Sequence, residues 1–181
     1  PPMYLVTPRL RLREFVSADW KAVYAYQSDP RYLRFYPYDR RSPEDVREFI
    51  RKLISWQYDF PRTRFQFAVV LKNEDRLIGN CGVRKEDRRA TEADLGYELA
   101  PAEWGKGYAT EAAQAVLDFA FEKLDLHRVW ATCIAENAAS ARVLEKLGMH
   151  LEGRRRETQC FEGRWWDKLI YGILRPEWEK N

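Results

Sequence analysis

The chain has 181 residues, 45% of them hydrophobic and 33% charged, with a net charge of +3. That length suits one domain with a substantial core, and the composition excludes a disordered chain. No apolar run approaches the ~18 residues a membrane-spanning helix requires, and so small a net charge gives little support to a nucleic-acid partner.

Pro1 and Pro2 ahead of Met3 read as an added remnant, with a single domain running from Met3 to Asn181. Arg9-Leu10-Arg11-Leu12-Arg13 alternates strictly and predicts a strand with one buried face. Ser17 is placed to cap a short helix carrying Trp20, Val23 and Tyr24, which Asp29-Pro30 breaks. Arg31–Arg41 is aromatic and basic without a clear period and reads as a loop. Ser42-Pro43-Glu44-Asp45 opens a second helix, on which Val46, Phe49, Ile50, Leu53 and Ile54 recur at helical spacing. Strands follow near Phe65–Leu71 and Leu77–Val83, joined by a turn at Asn73-Glu74-Asp75. Leu95, Tyr97 and Leu99 alternate along the next strand.

That strand leads into Ala100-Pro101-Ala102-Glu103-Trp104-Gly105-Lys106-Gly107-Tyr108-Ala109-Thr110, and a helix begins directly after it. Glycines at such a junction let backbone N–H groups face outward, and the helix start adds unpaired N–H groups and partial positive charge. Together they make a socket for a phosphate or pyrophosphate. Ala113, Val116, Leu117, Ala120 and Leu124 form the stripe of this helix. A strand Arg128–Ile134 and a helix from Asn137 to Gly148 follow, the latter with Val143, Leu144 and Leu147 inward. Two last strands, near Leu151–Cys160 and Trp165–Leu174, meet at a Glu162-Gly163 hairpin turn. The order predicts a mixed sheet covered by helices, with a parallel right-handed β-α-β crossover around the glycine loop.

The three cysteines, Cys81, Cys133 and Cys160, are odd in number and lack CxxC spacing. With no export signal, this predicts free thiols and a cytoplasmic location. His127 and His150 lack ligand spacing, so no metal is expected.

Three phosphate-binding motifs compete for the glycine loop. GxxxxGK[ST] is absent. For GxGxxG, Gly105 and Gly107 fit, but Thr110 occupies the third position and Ala100–Trp104 separate the strand from Gly105. The third candidate is coenzyme A. Positions 104–109, with Gly107 and Ala109, resemble the (Gln/Arg)-x-x-Gly-x-(Gly/Ala) hallmark of the GNAT N-acetyltransferase superfamily. Trp104 departs at the first position, and Trp-Gly-Lys-Gly-Tyr-Ala-Thr-Glu-Ala there is similar to the branch of ribosomal-protein N-terminal acetyltransferases of RimJ/RimL type. Thr7–Arg13, Asn137–Met149, Glu152-Gly153 and the closing run to Trp178 also resemble that branch.

The resemblance implies an α/β (α+β) fold. Its sheet would be mixed, mostly antiparallel and twisted, of about seven strands, with helices on both faces and a central β-α-β unit that binds CoA. It implies that the strand ending at Leu99 and the strand Arg128–Ile134 splay apart, with pantetheine pairing to backbone near Leu99 and Ala100. The pyrophosphate would sit on Trp104, Gly105, Lys106, Gly107, Tyr108, Ala109 and Thr110.

An α-amino group titrates near ~7.7–8.0 and is partly neutral at cellular pH, so a modest base suffices for its acetylation. Glu98, beside the expected opening, is the candidate base, directly or through a water. It also fits an ordinary solvent-facing strand residue. Many relatives carry a tyrosine acid where this chain has Leu144, which moves the role at the leaving sulfur to Ser140 as in the resembling branch. A local helix-start bond is the other reading of Ser140. Asn137 would cap the helix and hold the pantetheine amide, while Arg142 is placed to reach CoA phosphates; Lys146, four residues on, could do the same but reads first as a solvated surface residue. Lys106 offers its backbone, and Cys133 reads as structural. The acceptor pocket is expected from Arg31–Arg41 and the final hairpin, through Tyr36, Tyr38, Gln159 and Trp165.

These readings point to acetyl-CoA-dependent acetylation of a primary amine, most directly a protein N-terminus. Small-molecule amine acetylation, a non-catalytic CoA module and a ribosome- or RNA-binding protein are the alternatives. Helix faces leave monomer and homodimer open.

Overall fold

Strand patterning is strongest in the middle of the chain, and the sheet is built from there outward. The computed structural model describes residues 3–38 and 40–181, so the expectation for Pro1 and Pro2 lies outside the described residues. The strands are β1 (Tyr4–Val6), β2 (Leu10–Arg13), β3 (Arg64–Leu71), β4 (Arg76–Lys85), β5 (Glu92–Leu99), β6 (Arg128–Ile134), β7 (His150–Phe161) and β8 (Arg164–Leu174). They form one sheet in the order β1-β2-β3-β4-β5-β6-β8-β7. Only β5 and β6 are parallel; every other neighbouring pair is antiparallel. The expected seven strands are present, and β1 is an eighth.

Helices cover both faces. On one face lie α1 (Trp20–Gln27), α2 (Pro30–Leu33) and α3 (Pro43–Trp56), whose Val23, Leu33, Val46, Ile50 and Leu53 close over Ala68, Val70 and Leu77. On the other lie α4 (Tyr108–Glu122), α5 (Ala138–Lys146) and α6 (Arg175–Glu179). Here Ala113, Val116, Leu117, Ala120 and Leu144 pack on Phe67, Val69, Ile78, Cys81 and Leu95. β4 lies under helices on both sides, which is why Leu77–Val83 is an unbroken buried run rather than an alternation. A buried leucine or phenylalanine here contributes ~1.5–3 kcal/mol.

The local signals settle in detail. Ser42 accepts from the Asp45 N–H at 3.1 Å and Asp45 returns a bond to the Ser42 N–H at 2.9 Å, a capping box behind Pro43. Glu162 and Gly163 both adopt positive φ, 51° and 70°, matching a two-residue hairpin turn. Ser17 does not cap the first helix. It lies inside a short 3-10 turn, and Asp19 accepts from the Val16 N–H at 2.9 Å while gripping Arg13. Asp29-Pro30 does more than end α1. Asp29 accepts from the Arg31 N–H at 2.9 Å and starts α2 inside the segment expected to be all loop.

The glycine loop is fastened to the far edge of the sheet. Glu111, one turn into α4, accepts from the Thr7 hydroxyl at 2.5 Å and the Arg9 N–H at 2.9 Å, and pairs with Arg9 Nε at 2.8 Å. Arg9 also donates to the Lys106 carbonyl at 2.9 Å and lies over the Tyr108 ring. Burial disfavours the Glu111 carboxylate, but the bonds from Thr7 and Arg9 outweigh it and hold its pKa below the ordinary value of 4.5. The native state therefore binds fewer protons here than the unfolded chain. The resulting stability is complete above the ordinary glutamate range and is lost as pH falls through the native pKa. Urea midpoints measured from pH 7 down to pH 3 are expected to fall less steeply in Glu111→Gln than in the wild type.

Candidate active site

β5 and β6 pair only at Glu92↔Arg128, Ala93↔Val129 and Asp94↔Trp130. Beyond them β5 stays with β4 up to Gly79↔Leu99, while β6 stays with β8 up to Ile134↔Lys168. The sheet thus splits at its one parallel seam. The Ala100 N–H donates to the Ile78 carbonyl at 2.7 Å. Alternation along an antiparallel strand therefore turns the backbone of Tyr97 and Leu99 toward the gap. Of the two residues expected to offer backbone there, Leu99 faces the opening, whereas the Ala100 N–H is committed to β4. The Trp104 indole N–H already bonds the Leu99 carbonyl at 2.9 Å.

A cleft of about 600 Å³ occupies the split, lined by Leu99, Trp104, Gly105, Gly107, Tyr108, Ala109 and Thr110 on the loop side. Asn137, Ser140, Arg142, Val143 and Lys146 form the α5 side. Gly105 and Gly107 adopt φ of 77° and 85°, a conformation that strains any residue with a Cβ. The first helical bond of α4 runs from the Glu111 N–H to the Gly107 carbonyl, and no side chain caps this end. Three free N–H groups, on Tyr108, Ala109 and Thr110, therefore open on the cleft. Arg142 and Lys146 have no carboxylate partner among the described residues. Glycines, uncapped donors and unpaired cations together fit a pyrophosphate-bearing ligand such as CoA. The Lys106 ammonium is drawn away to Glu103 at 3.0 Å, leaving that residue's backbone to the loop.

Glu98 points from β5 toward α1. It accepts from the Asn80 side-chain amide at 2.7 Å and from Gln27 Nε2 at 3.0 and 3.2 Å. Asn80 in turn accepts from Gln66 at 2.7 Å. Gln27, Asn80 and Gln66 are all buried, and among the described residues the carboxylate is held by neutral donors without a cation bonded to it. Burial, and next the Glu98 charge, push the phenols of Tyr26, Tyr32 and Tyr36 upward, so these remain protonated donors.

Tyr97 points the opposite way. Its hydroxyl lies 2.8 Å from Ser140 Oγ and 3.1 Å from the Ser140 carbonyl. Asn137 caps α5 by accepting from the Ser140 N–H at 3.2 Å, which leaves its side-chain N–H groups free. Burial and the Glu145 charge push the Cys133 thiol up to about 11 against a bond from Ser140. A protonated thiol there is no nucleophile, and burial pushes Cys81 up to about 12.

A second cavity of about 270 Å³ opens under α3, between Tyr36, Phe49, Lys52, Leu53 and Trp56 above and Gln66, Asn80, Arg84, Gly96 and Glu98 below. Tyr36, Tyr97 and Glu98 line both cavities, so the two meet at the end of β5. Tyr38 stacks on Tyr36 at 5.7 Å and stands behind this wall. Gln159 and Trp165 line neither cavity. Trp165 is 58% exposed on the hairpin, and its neighbour Trp166 turns inward against Phe161 and Phe35. Sequence reasoning missed Gln27, Asn80, Tyr97 and Arg9. A glutamine four residues after Val23 on an apolar helix face was the one available signal for a buried polar partner.

A GNAT acetyltransferase domain model matches residues 9–150, and the chain belongs to that family. An N-acetyltransferase of Bacillus subtilis strain 168, YnaD, described as uncharacterized, is 38% identical over 97% of this chain and 99% of its own. Among solved structures, a GNAT-family acetyltransferase from Bacillus anthracis superposes with a TM-score of 0.83 at 35% identity, covering 95% of this chain and 98% of its own. A ribosomal-protein-S5-alanine acetyltransferase from Vibrio fischeri gives 0.81 at 26% identity, with 97% and 98% covered.

Gly107→Ala forces an L side chain into the left-handed region at a cost of about 1–2 kcal/mol. Lower thermal stability and weaker CoA binding by calorimetry are expected. Gly153→Ala, where an added methyl meets nothing within 4 Å, serves as the control that changes neither.

Proposed function

We propose that the protein transfers an acetyl group from acetyl-CoA to a primary amine by direct attack, with the α-amino group of a protein N-terminus as the leading acceptor class. The observation that carries this reading is the placement of Glu98 and Ser140 on opposite sides of the free end of β5, where the two cavities meet. Acetyl-CoA supplies the activated acetyl thioester. The N–H groups of Tyr108, Ala109 and Thr110 hold the pyrophosphate, with Arg142 and Lys146 beside it. Leu99 and Asn137 orient the pantetheine arm. Glu98 takes the proton of the incoming amine, directly or through one water. Ser140 donates a hydrogen bond toward the departing sulfur, its hydroxyl oriented by Tyr97. An α-amino group, already partly neutral at pH 7–8, asks little of such a base. The S5-alanine acetyltransferase from Vibrio fischeri supports this acceptor class by similarity.

A small-molecule amine is the second reading, favoured by the modest 270 Å³ of the cavity beside Glu98.

Thiol release from acetyl-CoA with N-terminal peptides and with small amines tests both readings. Glu98→Gln is expected to lower kcat by about 10²–10⁴-fold with acetyl-CoA affinity unchanged. An unchanged kcat would remove Glu98 from the base role. Tyr97→Phe loses one orienting bond and is expected to lower kcat by about 2- to 10-fold with both KM values unchanged.

A further inference from the structure

The cavity beneath α3 holds charges that amine acetylation does not require. Glu98, Arg84 and Lys52 all line it, together with Phe49 and Trp56, and Arg84 lies over Gly96, further along β5 from its free end than Glu98. The Arg84 guanidinium lies flat against β5 because Gly96 has no side chain; a Cβ there would come within 2.8–3.0 Å of its three terminal atoms. Asp94 takes Arg84 through Nε and Nη2. Among the described residues the remaining Nη1 makes only a 3.4 Å contact, to Gln66 Oε1. Lys52 lies over the Phe49 and Trp56 rings at 5.6 and 5.8 Å and has no carboxylate partner among the described residues. Gly96 and Glu98 are two residues apart on one strand face, roughly 7 Å along the β5 backbone, so the guanidinium over Gly96 and the Glu98 carboxylate occupy successive positions along that face. Such a cavity is bipolar: an anion at the mouth of the split, and cations one short molecule away.

We infer that the acceptor is an amine that also carries an anionic group, a carboxylate or phosphate, a short carbon chain away from the nitrogen. The amine lies at Glu98 and the anion at Arg84 Nη1 and Lys52 Nζ. A guanidinium edge and an ammonium both match such oxygens. The aromatic walls enclose the carbon atoms between. A polyamine would set its second charge against both cations, and a neutral amine would leave them unused. Two sources share this chemistry, a free zwitterionic amine and a peptide N-terminus with an acidic side chain close to it. This inference rests on Glu98 being the end that receives the amine.

The test measures KM for paired acceptors that differ only in the anion. Short ω-amino acids such as 4-aminobutanoate and 5-aminopentanoate are compared with their amides, and Ser-Asp and Ala-Glu peptides with Ser-Asn and Ala-Gln peptides. KM is expected to be about tenfold lower for the anionic member of one pair type, and which type responds names the source. Lys52→Glu is expected to abolish or reverse that preference while KM for acetyl-CoA stays constant. Arg84→Gln is expected to do the same, but it also breaks the Asp94 pair, so the exposed Lys52 is the primary variant. Equal KM within every pair, or a preference that survives Lys52→Glu, overturns the inference while leaving acetyl transfer intact. Equilibrium binding of the same pairs to the CoA-loaded protein reads the preference without turnover. Absence of turnover then counts against the acetyl-transfer reading, and absence of an anionic preference in binding against this one.

Discussion

The arrangement of this molecule follows from the one parallel contact in its sheet. β5 and β6 are joined by a crossover through α4, and they share only three register pairs before each follows its antiparallel neighbour away. An antiparallel hairpin at that point would have sealed the seam. A crossover instead starts both strands together and leaves their far ends to be held from outside. The opened backbone then needs partners, and the Trp104 indole supplies one at the Leu99 carbonyl. The same crossover places the start of α4 beside the opening, so the uncapped helix end and the split are produced by one connection.

The groups around the split are held mainly by neutral donors. Gln27 and Asn80 grip Glu98, and Gln66 fixes Asn80. A buried amide costs free energy unless its bonds are made, so a chain of this kind is rigid when complete. Two amides position the Glu98 carboxylate, and among the described residues no cation is bonded to it. On the other face, Tyr97 and Asn137 fix Ser140 from two directions. The aromatic segment after α1 bridges α1 and the final hairpin, with Tyr32 against Tyr26 of α1 on one side and Phe35 against Trp166 of β8 on the other.

Elements whose signals are local were legible in the residues alone. The capping box at Ser42, the Glu162-Gly163 turn, the glycines at 105 and 107 and the Asn137 cap each act within a few residues, and each stands where its pattern placed it. The mixed sheet and its parallel crossover also followed from the alternation of strands and helices, whereas the insertion of β8 between β6 and β7 did not. What was not legible depends on register. β1 spans Tyr4–Val6, too short to show a period. Whether Ala100 or Leu99 faces the gap depends on which neighbour takes the first N–H, a choice made by pairing with Ile78. Gln27, Asn80 and Glu98 lie far apart in the chain and meet only when α1 docks on β4 and β5. Gln159 and Trp165 sit in the expected hairpin, but Trp166 rather than Trp165 turns inward, and one residue of phase moves a side chain across the sheet.

Glu98 and Tyr97 are adjacent in the chain, yet they face opposite layers of the protein. On the proposed reading the acceptor approaches Glu98 from beneath α3 and the nucleotide lies on the glycine loop, so the two come from different layers and converge where the cavities meet. On that reading neither reactant has to pass through the other's cavity to reach the junction. A molecule that joined both reactants covalently would have to be threaded through a slit one strand deep, from one face of the sheet to the other. The side of entry would then govern its association rate more than the number of contacts it makes once seated.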